Sequence, residues 1–176
     1  GAGSYMSPPG RPKGEYRSAK HEGTPVSADD RLGVALWEAD RHAAALSEAL
    51  AEWAAEPALD MAQLERDRML LRLTDQILFR FTKLQDALGE RLVPATLQQL
   101  AEPFENWPMR DRLERLEKLG YLAVDDWLRW RELRNRLAHE YPDQPELRFA
   151  VLKAAIGAAG ELVTAFSLWR QLIGKA

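Results

Sequence analysis

The chain has 176 residues, 46% hydrophobic and 29% charged, with 24 basic against 27 acidic side chains and so a net charge of −3, the balance of an ordinary globular protein. No cysteine is present, which excludes disulfide scaffolds, thiolate metal sites, iron–sulfur clusters and cysteine nucleophiles. The uncharged runs 154–160 and 162–169 fall well short of the roughly 18 to 20 apolar residues of a membrane span, so no membrane segment is expected and a cytoplasmic location is.

In chain order, residues 1–5 read as a cloning remnant ahead of Met6. Residues 6–27, rich in Pro, Gly and Ser, read as a flexible tail with a PxxP string from Pro9 to Pro12. Residues 28–176 are expected to form a single all-α domain. Ser27 can cap a first helix carrying Asp29 and Asp30 in its first turn, with Leu32, Leu36, Ala43, Leu46, Leu50 and Trp53 at three-to-four spacing as far as Pro57. Asp60 can cap a second long helix with Leu70, Leu73, Ile77, Phe81, Leu84 and Leu88 on one stripe and Gly89 as its stop. A short helix over 96–102 follows among prolines, then one from Met109 that stops at Gly120. Asp125 and Asp126 can cap a helix containing Trp127, Trp130, Leu133 and Leu137, which Pro142 ends near 140–141. The last helix, over about 145–173, places Leu147, Val151, Ala154, Ala158, Leu162, Ala165, Trp169 and Leu172 on a heptad seam. With no two-residue alternation anywhere, the expected architecture is an antiparallel bundle of four to five main helices.

Most site signatures are missing: no phosphate-binding glycine loop, nucleophile elbow or calcium loop occurs. His139-Glu140 begins like a zinc-protease HExxH, but Asp143 stands where the second His is required. Glu38 and His42, one helical turn apart, have the spacing to bind a metal or substrate but read as an exposed ion pair on a charged face. The segment from Trp127 to Pro142 is different, because Arg129, Arg131, Arg134 and Arg136 meet only Glu132 before His139. Arginine presents a planar fork to phosphate oxygens, and histidine exchanges a proton near neutrality. Together they make a phosphoryl-transfer set. On an unbroken helix Arg134 and His139 point about 140° apart, so their cooperation requires the helix to end between them and Pro142, or a second protomer.

The string Arg134-Asn135-Arg136-Leu137-Ala138-His139-Glu140-Tyr141 resembles the RNxxxHxY form of the Rx4HxY motif in the HEPN family, specifically its HepT-like toxins. The helix from Arg66 to Leu84 is loosely similar to the same family, so the likeness extends over 28–173. The resemblance implies an endoribonuclease that works without metal or cofactor. In it Arg134 and His139 are the catalytic pair, Asn135 supports the site, and a homodimer joins two motif copies in one cleft. It also implies a toxin–antitoxin pair in which an MNT-type nucleotidyltransferase silences the toxin by adding AMP to Tyr141. Arg131 and Arg136 are then candidates to guide the RNA backbone. The alternative within the resemblance is a non-catalytic helical subunit that binds substrate as the partner of a nucleotidyltransferase.

Overall fold

The computed structural model describes residues 1, 3–6 and 26–175. The expected tail at 6–27, with its PxxP string, lies almost wholly outside them. Among the described residues the chain is helical, with no strand.

Helix α1 (Ala28–Ala55) starts as expected, with the Ser27 hydroxyl accepting from the Asp30 amide at 3.1 Å. Its buried face is Leu32, Ala35, Ala39, Ala43, Leu46, Ala49 and Trp53. The alanines let neighbours approach closely, and α1 becomes the axis against which three other helices pack. The second long helix is interrupted. Asp60 caps only α2 (Met61–Arg66), accepting from the Gln63 amide at 2.7 Å. Asp67 then turns extended and caps α3 (Arg68–Ala87), accepting from the amides of Met69 at 2.9 Å and Leu70 at 3.2 Å. A short carboxylate that takes two backbone N–H groups competes directly with helix continuation.

Gly89 does not stop the rod. The chain runs on through a π-helical turn (Leu88–Leu92) into α4 (Val93–Gln99), which begins and ends three residues before the helix expected at 96–102. The glycine serves a close approach: a Cβ there would lie 3.0 Å from Cζ2 and 3.3 Å from Cη2 of Trp127. Helix α5 (Met109–Lys118) ends as expected at Gly120, whose φ of 85° closes the turn as Tyr121 N–H bonds the Leu116 carbonyl at 2.9 Å. Helix α6 (Val124–Leu137) is not capped by Asp125 or Asp126, which lie in its first turn; Glu117 on α5 accepts from the Val124 amide at 2.6 Å.

Helix α7 (Pro145–Lys175) buries a band wider than a heptad seam: Val151, Leu152, Ala155, Ile156, Ala158, Ala159, Leu162, Phe166 and Trp169. Of the expected seam, Ala154 is exposed and Leu147, Ala165 and Leu172 are half-buried, because α7 packs on α1, α3 and α6 together and not on one partner. Its mean hydropathy reaches 1.6 over an 18-residue window with no more than two charges, enough by length and composition to cross a bilayer and contrary to the expectation from its short uncharged runs. In the fold that window is 44% buried. Polar ties also anchor the helix: Trp169 Nε1 donates to the buried Thr96 hydroxyl at 3.0 Å, and Glu161 accepts from Trp130 Nε1 at 3.0 Å.

Contacts fix two antiparallel pairs. Glu38 and His42 of α1 reach Arg91 and Arg80, and Arg129 of α6 reaches Glu161 while Arg136 shares a groove with Ala154. One connected apolar core runs through all the helices.

Candidate functional site

The residues singled out by sequence lie at the end of α6 and in the turn that follows. Apolar Val124, Trp127, Trp130 and Leu133 anchor one side of α6 in the core, leaving its arginines at the surface or its margin. The helix ends at Leu137, earlier than the proline alone requires. Ala138 N–H bonds the Asn135 carbonyl at 3.2 Å and His139 N–H the Arg136 carbonyl at 3.1 Å, the tighter three-residue spacing of a closing turn. Tyr141 and Asp143 flank Pro142 with φ of 46° and 64°. Left-handed backbone costs a non-glycine residue roughly 1–2 kcal/mol, and here it reverses the chain within seven residues of α6, before α7 starts at Pro145.

That turn forms the rim of a cleft of about 430 Å³. Thr74 and Leu78 of α3, Leu137 of α6 and Val151 and Leu152 of α7 form its apolar wall, with His139, Glu140, Tyr141 and Arg148 at its mouth. His139 is exposed and Tyr141 half-buried. Their rings meet edge-on, with centroids 6.0 Å apart and planes at 62°. Arg148 is anchored by an ion pair to Glu65 of α2. A cation at this cleft was invisible to the sequence reading, since Arg148 sits in the next helix with no motif around it.

Arg134 does not line this cleft. Its guanidinium is held by both oxygens of Asp86 on α3, Nη2 at 3.4 Å from Oδ2 and Nη1 closer to Oδ1. Asp86 lies eight residues beyond Leu78 on α3, about 12 Å along the axis. So within one chain the histidine opens into the cleft while the arginine is engaged by a carboxylate outside it. The other arginines divide likewise. Arg129 pairs with Asp126 at 3.1 Å and with Glu161. Hydrogen bonds donated by Arg129 and then by Trp130 hold the Glu161 carboxyl below its usual range, and the bonds Arg129 donates to Glu161 and then to Asp126 raise Arg129. Arg131 and Arg136 are exposed and have no carboxylate partner among the described residues. Arg136 lines a separate groove between α6 and α7, with Glu132, Gly157 and Glu161. Asn135 is exposed, and its backbone carbonyl closes the end of the helix.

The expected Glu38–His42 pair does not form. Glu38 binds Arg91 at 2.8 Å, and His42 Nδ1 accepts from Arg80 Nη1 at 2.9 Å. An arginine has no acceptor to offer, so this contact requires His42 to be unprotonated at Nδ1. Burial first, and Arg80 second, push the His42 imidazole below its ordinary value; Arg41 and Lys83 act the same way, with Glu38 opposing.

Among the described residues no three His, Asp or Glu side chains converge as a metal would require. Compared with protein-family models, with curated proteins and with solved structures, the chain matches none.

Proposed function

We propose that the chain is a HEPN-type endoribonuclease of the HepT-like toxin kind, acting in the cytoplasm as a homodimer. The observation that carries this reading is the string Arg134-Asn135-Arg136-Leu137-Ala138-His139-Glu140-Tyr141, together with the opening of its histidine and tyrosine into one cleft at a helix end. In the reaction His139 takes the proton of a ribose 2′-hydroxyl, the 2′-oxygen attacks the adjacent phosphorus, and the bond to the 5′-oxygen breaks. The leaving 5′-oxygen takes up a proton from water, to which the His139 imidazolium returns the one it accepted, and the products are a 2′,3′-cyclic phosphate and a 5′-hydroxyl. General acid–base catalysis of this kind contributes about 10² to 10⁴-fold. Arg134 stabilises the charge that builds on the phosphorane oxygens.

The engagement of Arg134 by Asp86 sets a condition on this reading. RNA must displace the carboxylate, and, because Arg134 lies outside the cleft of its own chain, the second protomer supplies the arginine that faces His139. Asn135 at the helix end supports the site, and the uncompensated Arg131 and Arg136 are placed at the surface, where a phosphate backbone can reach them. Tyr141 is the acceptor for AMP from an MNT-type nucleotidyltransferase antitoxin. An added phosphate-linked nucleotide there brings negative charge and bulk to the cleft mouth and blocks it.

The ion pair of Arg134 with Asp86 also favours a second reading, a non-catalytic partner subunit of a nucleotidyltransferase, because an arginine matched to a carboxylate has a structural task. One experiment separates the two. Purified protein is incubated with tRNA and mRNA in excess EDTA beside His139→Ala and Arg134→Ala, and the RNA ends are analysed. Cyclic-phosphate ends that vanish in both variants are expected; intact RNA from folded, unmodified wild type overturns the nuclease reading and leaves the partner subunit.

A further inference from the structure

Away from the cleft, two aromatic rings stand at the surface beside three cations. Trp37 on α1 is 61% exposed and Phe79 on α3 is 54% exposed, whereas Trp53, Trp127, Trp130 and Trp169 are buried. The Arg41 guanidinium lies 4.7 Å from the Trp37 ring centroid. Arg80 and Lys83 each lie 5.6 Å from the Phe79 centroid. The hydrogen bond from Arg80 to His42 crosses from α3 to α1 and makes the two clusters one surface. Arg41 adjoins His42 in the chain and Lys83 follows Arg80 by one helical turn, so the three cations lie about this bond.

None of Arg41, Arg80 and Lys83 is ion-paired to a carboxylate among the described residues. Glu38, one helical turn before His42, is taken by Arg91 at 2.8 Å. In a chain of net charge −3, these cations are matched by ring faces and, for Arg80, by the neutral His42 ring; ring contacts at exposed sites are weak and rearrange readily. The antiparallel register of α1 on α3 sets the backbones of Trp37 and Phe79 about 12 Å apart. That span suits a few nucleotides of extended strand.

We propose that the strip formed by Trp37, Arg41, Phe79, Arg80 and Lys83 binds a single-stranded RNA segment, the two rings stacking bases and the three cations taking phosphates. Stacking platforms interleaved with cations are the physical requirement for such binding. The choice of RNA over DNA rests on the nuclease reading above; the strip itself does not. Phe79, Lys83 and Asp86 fall on one face of α3, at spacings of four and three, so the strip leads toward the Arg134 pair. A second copy of the chain is a poor occupant, because a two-fold interface sets a patch against itself and would face cation with cation.

The test uses the full chain carrying His139→Ala, so that RNA stays uncut, titrated with labelled uridine and adenosine oligomers by fluorescence anisotropy at several salt concentrations. Trp37→Ala and Phe79→Ala are each expected to weaken binding about tenfold. Lys83→Gln is expected to weaken it and to lower the slope of log affinity on log salt by about 0.7. Both rings and Lys83 are exposed, so thermal melts should match the parent. Absence of binding by the parent, or variants that bind as the parent does, overturns the proposal. A change in oligomeric state with unchanged RNA affinity makes the face a contact between copies and overturns it too. Strip variants that lose binding while wild type cuts no RNA leave the strip standing and remove the nuclease reading; wild-type cutting with unaffected strip variants does the reverse.

Discussion

The end of α6 carries four arginines within eight residues, and two of them are already matched: Arg129 by Glu161 and Asp126, Arg134 by Asp86. The α1–α3 strip carries three cations drawn from distant parts of the chain, and none meets a carboxylate among the described residues. Density of charge along the sequence therefore misstates the charge available to a ligand. Neighbours on one helix are satisfied by acids that the fold brings up from α3 and α7. Arg41 converges with Arg80 and Lys83 where the nearby acid, Glu38, is taken by Arg91. A nucleic acid approaching this protein meets unpaired positive charge at the strip as well as at Arg131 and Arg136 of α6.

The largest expected effect falls on the turn. His139→Ala should lower cleavage by about 10² to 10⁴-fold, measured as the rate of cyclic-phosphate formation, with an unchanged thermal midpoint because the side chain is exposed. Its failure would detach chemistry from the turn altogether and leave the α6 end as a structural junction.

Next comes a packing test of the support under α6. Gly89→Val drives a branched side chain into the Trp127 ring, whose nearest atom lies 3.0 Å from where the Cβ would sit. Overpacking of this kind costs about 1–3 kcal/mol, read as a lower denaturant midpoint. Gly157→Ala on α7 is the contrast, since nothing lies within 4 Å of its added Cβ and a helix interior gains about 0.5–1 kcal/mol on losing a glycine. If both substitutions act alike, Trp127 yields and the seat of α6 is soft.

A smaller effect separates the two uses of Arg134. Asp86→Asn removes the matching carboxylate from a pair in which both side chains are partly exposed, so screening limits the loss to about 1 kcal/mol or less. Cleavage that holds or rises in this variant marks Arg134 as released for the reaction; an arginine with a purely structural task predicts lost stability and no gain in rate.

How much of this was legible in the sequence follows from what each signal depends on. The cap at Ser27, the stop at Gly120 and the buried face of α1 are local, and the periodic apolar residues with their caps state them directly. The break at Asp67 was obscured because its carboxylate sits inside an apolar period that continues on both sides. Gly89 carried the composition of a stop, yet its reason is a tryptophan 38 residues further on. The motif from Arg134 to Tyr141 was plain as a string, but the acid facing Arg134, and the separation of that pair from the cleft, depend on how α3 lies beside α6. Arg41 and Arg80, or Trp37 and Phe79, have no relation in sequence until α1 and α3 pack.

The smallest effect tests the joint of the strip itself. His42 holds Arg80 through an unprotonated Nδ1 at 2.9 Å, and burial, with Arg80 next, pushes its protonation below the ordinary value near 6.5. Below that ordinary value the unfolded chain binds a proton that the folded one refuses, so stability rises with pH across this window. His42 contributes fully above about pH 6.5, and its contribution is lost as pH falls through the lower folded value. His42→Gln keeps an acceptor for Arg80 but cannot titrate. Between pH 7.5 and 5.5 the wild-type thermal midpoint should therefore fall more than that of the Gln variant, the carboxylates and the remaining histidines being common to both. Parallel curves would mean that Arg80 is positioned by the Phe79 ring and its own helix, and that the two halves of the strip are joined by packing alone.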